Sequence, residues 1–236
     1  MANDRRPTTN DPLLYFITDR KAFATDEPTR RRRLLEKIAE AARAGVDYIQ
    51  LREKDFPTRE LESLAQEAVQ VIREAKKLAP NPKPLVPVLL INSRTDVAMA
   101  VGADGVHLRA EDVTPKEVKE IWEKCGARAP AGVSPRRPMI AVSCHSPAEV
   151  KEAAAEGATF AVFAPVFEKK DLPGANATGL SQLSEACKAS IPVLALGGVT
   201  LENAKSCLEA GASGIAAIRL FQENDISEIV AKLRSF

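Results

Sequence analysis

Four times along this chain a helical pattern runs into glycine and a buried strand follows: Ala44-Gly45-Val46-Asp47, Val101-Gly102-Ala103-Asp104, Glu156-Gly157-Ala158-Thr159 and Ala210-Gly211-Ala212-Ser213. Glycine takes the left-handed backbone conformation without a Cβ penalty, so it can end a helix and turn the chain back. These junctions belong to a longer alternation. Short apolar runs predict strands at 13–18, 46–51, 88–92, 106–108, 139–144, 160–167, 192–196 and 214–218. Apolar residues at helical spacing predict helices at 28–44, 58–79, 95–101, 115–125, 147–156, 179–189, 201–210 and 225–233. Eight strand–helix units in 236 residues have the repeat count of an α/β (β/α)8 TIM barrel, which typically takes about 250 residues. A doubly wound open sheet is the runner-up, but the Gly-x-Gly-x-x-Gly turn expected after its first strand is missing.

The barrel is predicted to occupy 13–236 as a single domain. Residues 1–12 are polar, lack an apolar signal core and read as a disordered tail. Pro80, Pro82, Pro84 and Pro87 predict a stiff loop, 126–138 a mobile insertion and 168–178 a flexible loop. The run Arg30-Arg31-Arg32-Arg33 at a helix start opposes the helix dipole and reads as a solvated face. Lys and Arg number 33 against 32 Asp and Glu. That balance exerts no general pull toward nucleic acid or anionic membrane, so any anion binding is local. No apolar run approaches the roughly 20 residues of a spanning helix. Cys125, Cys144, Cys187 and Cys207 lack metal-type spacing and read as reduced, structural thiols of a cytoplasmic protein. The sequence leaves a homo-oligomer open.

In a TIM barrel the site lies at the carboxyl ends of the strands. The second strand ends in Gln50-Leu51-Arg52-Glu53-Lys54-Asp55. Gln50, Arg52 and Lys54 share one face if the extended form persists, which suggests a phosphate or pyrophosphate site; a strand running into solvent explains the same residues. Other strand ends supply Thr18, Asp19, Asn92, Ser93, Ser143 and His145, and the loop after strand four carries Glu111 and Asp112. Gly197-Gly198 and the turn at Ile218-Arg219 follow strands seven and eight, where this architecture often binds phosphate. Asp112 could bind Mg²⁺ beside substrate phosphates, or simply favour a helix start. His107, inside a strand, reads as a packed histidine. His145 is the better acid–base candidate, with helix capping as the competing role.

The motifs Gln50-Leu51-Arg52-Glu53-Lys54-Asp55, Ile91-Asn92-Ser93-Arg94-Thr95-Asp96, Gly102-Ala103-Asp104-Gly105-Val106-His107-Leu108, Val142-Ser143-Cys144-His145-Ser146 and Ala195-Leu196-Gly197-Gly198-Val199 resemble the thiamine phosphate synthase/TenI family over nearly the whole chain. The resemblance implies a transferase. It would join an aminopyrimidine diphosphate to a thiazole phosphate, releasing pyrophosphate, with these phosphorylated thiamine precursors as its partners. It implies that Gln50, Arg52, Glu53, Lys54 and Asn92 hold the pyrimidine diphosphate, with Ser143 nearby. Asp112 would hold Mg²⁺, and Gly197, Gly198, Ile218 and Arg219 the thiazole phosphate. The family's loop lysine matches Lys169 or Lys170, with Lys170 carried as the catalytic candidate.

The sequence also departs from the family. Ser93 stands where the synthases have a second metal-binding Asp, Arg109-Ala110 where they have Gly-Gln, and Arg219 where they usually have Ser. Arg109 becomes a candidate to supply charge at the pyrophosphate. TenI-type members imply a metal-free thiazole tautomerase using His145. A non-catalytic phosphate-ligand-binding barrel is the third reading.

Overall fold

The computed structural model describes residues 11–78, 87–126, 137–168 and 177–236. Eight parallel strands close into a barrel in sequence order: β1 (Leu13–Ile17), β2 (Tyr48–Leu51), β3 (Val88–Asn92), β4 (Gly105–Leu108), β5 (Met139–Cys144), β6 (Phe160–Phe163), β7 (Val193–Ala195) and β8 (Gly214–Ala217). Outside them run α1 (Glu27–Ala44), α2 (Thr58–Leu78), α3 (Thr95–Val101), α4 (Pro115–Gly126), α5 (Pro147–Ala155), α6 (Gly179–Ala186), α7 (Leu201–Glu209), α8 (Arg219–Gln222) and α9 (Ile226–Leu233). The proline loop at 79–86, most of 126–138, most of 168–178 and residues 1–10, for which a stiff loop, a mobile insertion, a flexible loop and a tail are expected, lie outside the described residues.

Alternation along each strand separates two apolar layers. Inward residues Tyr15, Ile17, Leu90, Ala141, Phe160, Val162, Leu194 and Ala216 fill the barrel. Outward residues such as Leu14, Phe16, Ile49, Ile91, Phe163 and Ile215 join the larger core beneath the helices. Tyr48 and Phe160 meet at 4.7 Å between ring centres, so the barrel interior is packed rather than open.

The junctions do more than stop helices. Gly45, Gly102, Gly157 and Gly211 all have positive φ. Two residues beyond the first three of them, a side chain caps the amino rim of a neighbouring strand. Asp47 Oδ2 accepts the Leu14 N–H at 2.8 Å, Asp104 Oδ2 the Leu89 N–H at 3.0 Å, and Thr159 Oγ1 the Ile140 N–H at 3.0 Å. Each satisfies a buried donor at the barrel's edge, a need that explains the polar residue in the repeat.

Four expectations need correction. β6 stops at Phe163, not residue 167, because Pro165 follows and proline has no N–H for the ladder. The extended form of β2 ends at Leu51, so Arg52 and Lys54 do not continue one strand face. One turn of 3-10 helix at Arg20–Ala22 and the short α8 after β8 were not anticipated. The arginine run is only partly solvated: Arg31 binds Glu67 at 2.6 Å on α2, and Arg30 Nε donates to the Phe23 carbonyl at 3.0 Å.

Candidate active site

The carboxyl rim begins with β1 and β2. Thr18 Oγ1 donates to Glu53 Oε1 at 2.8 Å and accepts the Arg52 N–H at 3.0 Å. Arg20 Nη1 bonds Glu53 Oε2 at 3.1 Å, and the guanidinium lies 3.7 Å from the Phe56 ring centre. Glu53 and Asp55 are thereby turned toward Arg20, while Arg52 is half-buried and Lys54 exposed. The ammonium of Lys54 is pushed below its ordinary range first by Arg52, then by partial burial and by Arg109, with Asp19 and Glu111 opposing. Three cations therefore share this side of the rim.

From β2 a chain of polar side chains crosses to the loop after β4. Gln50, almost wholly buried, donates through Nε2 to Asn92 Oδ1 at 3.0 Å. Asn92 Nδ2 donates to Ser93 Oγ at 3.0 Å, and Arg109 Nε donates to the same oxygen at 2.9 Å. Ser93 Oγ thus accepts from two sides. Arg109 grips Asp112 twice, through its backbone N–H at 2.7 Å and Nη2 at 3.2 Å. Burial pushes the Asp112 carboxyl up, but the donors from Ser93 and Arg109 outweigh it and hold it below the usual range. Ser93 sits at φ 60°, a conformation few non-glycine residues adopt, at the centre of this chain.

Deeper in the barrel, His107 bridges Ser143 and Tyr15. Its Nε2 lies 2.8 Å from Ser143 Oγ and its Nδ1 2.9 Å from the Tyr15 hydroxyl. Burial first, and then Arg52, push its pKa down to about 3, so the ring is neutral near pH 7 and serves as a hydrogen-bonding post. This agrees with its reading as a packed histidine. Tyr15, part of an apolar run, was given no role from the sequence.

On the far side, Gly197 and Gly198 have φ values of 94° and 65°. A Cβ on Gly197 would lie 2.7 Å from Pro165 Cα, and one on Gly198 2.6 Å from the Glu168 carbonyl oxygen. The pair lets the segment after β6 lie against the end of β7, where Phe167 N–H donates to the Gly197 carbonyl at 3.0 Å. Asn203 Nδ2 fixes the Gly198 carbonyl at 3.0 Å. Ile218 caps α8 and packs against the barrel interior, and Arg219 is the exposed first residue of that helix. Around the ring β8 is two strands from β2 and β7 three.

His145 follows β5. Its Nδ1 lies 2.6 Å from the Ala164 carbonyl, which can only accept, so Nδ1 carries a proton and the neutral ring would keep its lone pair on Nε2. The cap of α5 is Ser146, not His145. Lys169 and Lys170 lie outside the described residues.

The residues present do not form a metal cradle. Asp112 is one carboxylate whose two oxygens are both taken by Arg109, and Ser93 brings a hydroxyl at the position where the resemblance has a second carboxylate. Among the described residues, no three His, Cys, Asp or Glu side chains group so as to hold a metal ion. The four cysteines are free thiols, with Cys144 and Cys207 buried. No helix of the described residues is long and apolar enough to cross a membrane.

Comparison with known proteins matches this architecture. The sequence model of the family described as thiamine monophosphate synthase (TMP-TENI) matches residues 14–221. The chain is 36% identical over 230 residues to the thiamine-phosphate synthase of Syntrophomonas wolfei, covering 95% of this chain and 96% of that protein. It is 34% identical over 208 residues to the thiamine-phosphate synthase of Roseiflexus castenholzii, covering 87% and 79%. The solved thiamine phosphate pyrophosphorylase of Pyrococcus furiosus superposes with a TM-score of 0.73 at 30% identity, covering 96% of this chain and 95% of that one. The chain, a closed (β/α)8 barrel with Gln50, Asn92, Ser93 and Arg109 linked along its carboxyl rim, belongs to the thiamine monophosphate synthase family.

Proposed function

We propose that this protein is a transferase of thiamine biosynthesis, joining an aminopyrimidine diphosphate to a thiazole phosphate with release of pyrophosphate. The observation that carries the reading is the Gln50–Asn92 bond at 3.0 Å, which sets an amide pair beside the cations Arg52, Lys54 and Arg109. The amides suit a heteroaromatic ring with donors and acceptors on its edge; the cations suit a diphosphate. The reaction breaks the bond from the pyrimidine methylene to the diphosphate oxygen, and both electrons leave with pyrophosphate. The thiazole nitrogen then gives its lone pair to the methylene carbon. A fixed field that stabilises the departing charge serves this reaction better than a protein nucleophile would.

Within this reading Gln50 and Asn92 orient the pyrimidine, and Arg52 and Lys54 bind its diphosphate. Ser143, hydrogen-bonded to neutral His107, faces the same ligand. Glu53 acts through Arg20 and Thr18 to place its neighbours, a positioning role rather than a ligand contact. Gly197, Gly198, Ile218 and Arg219 receive the thiazole phosphate, and Lys170, outside the described residues, is the catalytic lysine that the resemblance implies. At Asp112, where the resemblance brought in Mg²⁺, Arg109 already occupies both carboxylate oxygens. The reaction takes place away from nucleic acid and membrane, in the cytoplasm.

The test is pyrophosphate release by the purified protein given both substrates, with each omitted in turn. Release that requires both supports the condensation; none from the complete mixture removes it. A second reading, thiazole tautomerisation, is favoured by the Nδ1–H tautomer of His145, which leaves Nε2 as a base. Isomerisation of a thiazole phosphate carboxylate that disappears in His145→Ala would establish it. Binding without either turnover would leave a ligand-binding barrel.

A further inference from the structure

We propose that the Arg109 guanidinium, propped by Ser93 and Asp112, is a built-in cation for the substrate's diphosphate and takes the place a divalent ion would have there. The inference rests on the reading of this rim as a diphosphate site, and it names the residue that makes the site work without a metal cradle. Three observations carry it.

The first is attachment. A guanidinium has five N–H donors in a planar fork. Nε goes to Ser93 and one Nη2 hydrogen to Asp112. The plane is fixed by two partners, yet the side chain remains 47% exposed while that of Asp112 is 10% exposed. An arginine held so, with donors left over for solvent, is preorganised for bidentate binding of a phosphate.

The second is what surrounds it. Arg109 lies close enough to Lys54 to depress the ammonium, as does Arg52. Asp112 pairs directly with Arg109, whereas Asp19 and Glu111 act on Lys54 only from a distance, and among the described residues neither Arg52 nor Lys54 has an ion-pair partner. An anion with several charged oxygens is the ligand that relieves such a cluster.

The third is the exchange of residue types. A serine hydroxyl at 93 can prop a guanidinium by accepting from Nε, and it brings no charge. Mg²⁺ demands near-octahedral oxygen ligands and is ordinarily held by one or two carboxylates with substrate phosphates. An ion at Asp112 would have to displace Arg109 from two hydrogen bonds and then lie beside its positive charge. Arg109 and a divalent ion are therefore alternatives at this carboxylate.

The experiment uses inorganic pyrophosphate as the probe and calorimetry on the full chain, so it does not depend on turnover. Titrations are run in chelator and in excess Mg²⁺, for the wild type, Arg109→Gln and the double variant Ser93→Asp/Arg109→Gly. The wild type should bind pyrophosphate in chelator. Arg109→Gln should weaken that binding about 10- to 100-fold, the range for loss of charge-assisted hydrogen bonds. The double variant should bind weakly in chelator and regain affinity with Mg²⁺. Unchanged melting temperatures serve as the folding control, since Arg109 lies on the surface. The proposal is overturned if wild-type binding requires Mg²⁺, or if Arg109→Gln binds in chelator as tightly as wild type. Pyrophosphate binding that depends on Arg109 without any condensation would sustain this inference and refute the proposed reaction instead.

Discussion

Arg20 and Asp55 meet through two parallel hydrogen bonds, Nη1 to Oδ1 at 2.7 Å and Nη2 to Oδ2 at 2.9 Å. The same guanidinium reaches Glu53 with Nη1 and Glu27 with Nε at 2.6 Å. Alternate residues of the segment after β2 are thus tied down, and the residues beside the ties, Arg52 and Lys54, are the ones proposed to meet the diphosphate. The arginine is a positioning residue for a site it does not touch.

Removing Arg20 should therefore be costly. Its side chain is 3% exposed and that of Glu53 2%, so Arg20→Ala strands a buried carboxylate, a change worth roughly 3–5 kcal/mol. Urea unfolding at neutral pH should show that loss, and Arg20→Ala/Glu53→Gln should recover part of it. A single variant within about 0.5 kcal/mol of wild type, the range of surface substitutions, would show that the cluster does not hold the loop.

His107 predicts how stability responds to acid. Its pKa is lowered from 6.5 to about 3 in the fold, so the unfolded chain takes up a proton that the folded chain refuses. The contribution is complete above pH 6.5 and is lost as pH falls from there toward 3, with a limiting slope of about 1.4 kcal/mol per pH unit. Wild type should lose more stability across that window than His107→Gln, measured by unfolding at stepped pH. Parallel curves would rule out the buried neutral ring as the source.

Lys54 predicts how ligand affinity responds to base. Because Arg52 and Arg109 lower its pKa, it loses its proton earlier than an ordinary lysine as pH rises. Pyrophosphate affinity should fall through that same alkaline range, since the anion binds the charged form. In Lys54→Met the alkaline fall should disappear and neutral affinity should drop. An unaltered alkaline limb in that variant would mean another group titrates there.

Gly198 predicts a local effect of backbone. At φ 65°, with the Glu168 oxygen 2.6 Å from where a Cβ would stand, Gly198→Ala must move the segment after β6. It should cost more than about 1 kcal/mol and raise the KM for the thiazole phosphate more than that for the pyrimidine diphosphate. Equal effects on both would place the thiazole phosphate elsewhere.

The barrel was legible in the sequence because period and punctuation repeat. The boundaries of β3, α3 and β5 came out as read, since each is an apolar run closed by a polar or glycine signal. The end of β6 did not, because apolar Val166 and Phe167 continue the pattern after the chain has left the ladder. Asp112 and Arg109 were each visible as a departure or a candidate. Their mutual grip was not, because it depends on a loop geometry that spacing alone does not encode.

Residue order by itself determined the alternation of helices and strands, the near-neutral charge and the family, all of which follow from local pattern and composition. Tertiary structure decided which charges face each other. Arg20 and Glu53 are 33 positions apart, and Ser93 and Arg109 16. Closing the barrel brings such residues within hydrogen-bonding distance, and at that distance an ion pair or a metal preference is settled by geometry that no single stretch of chain contains.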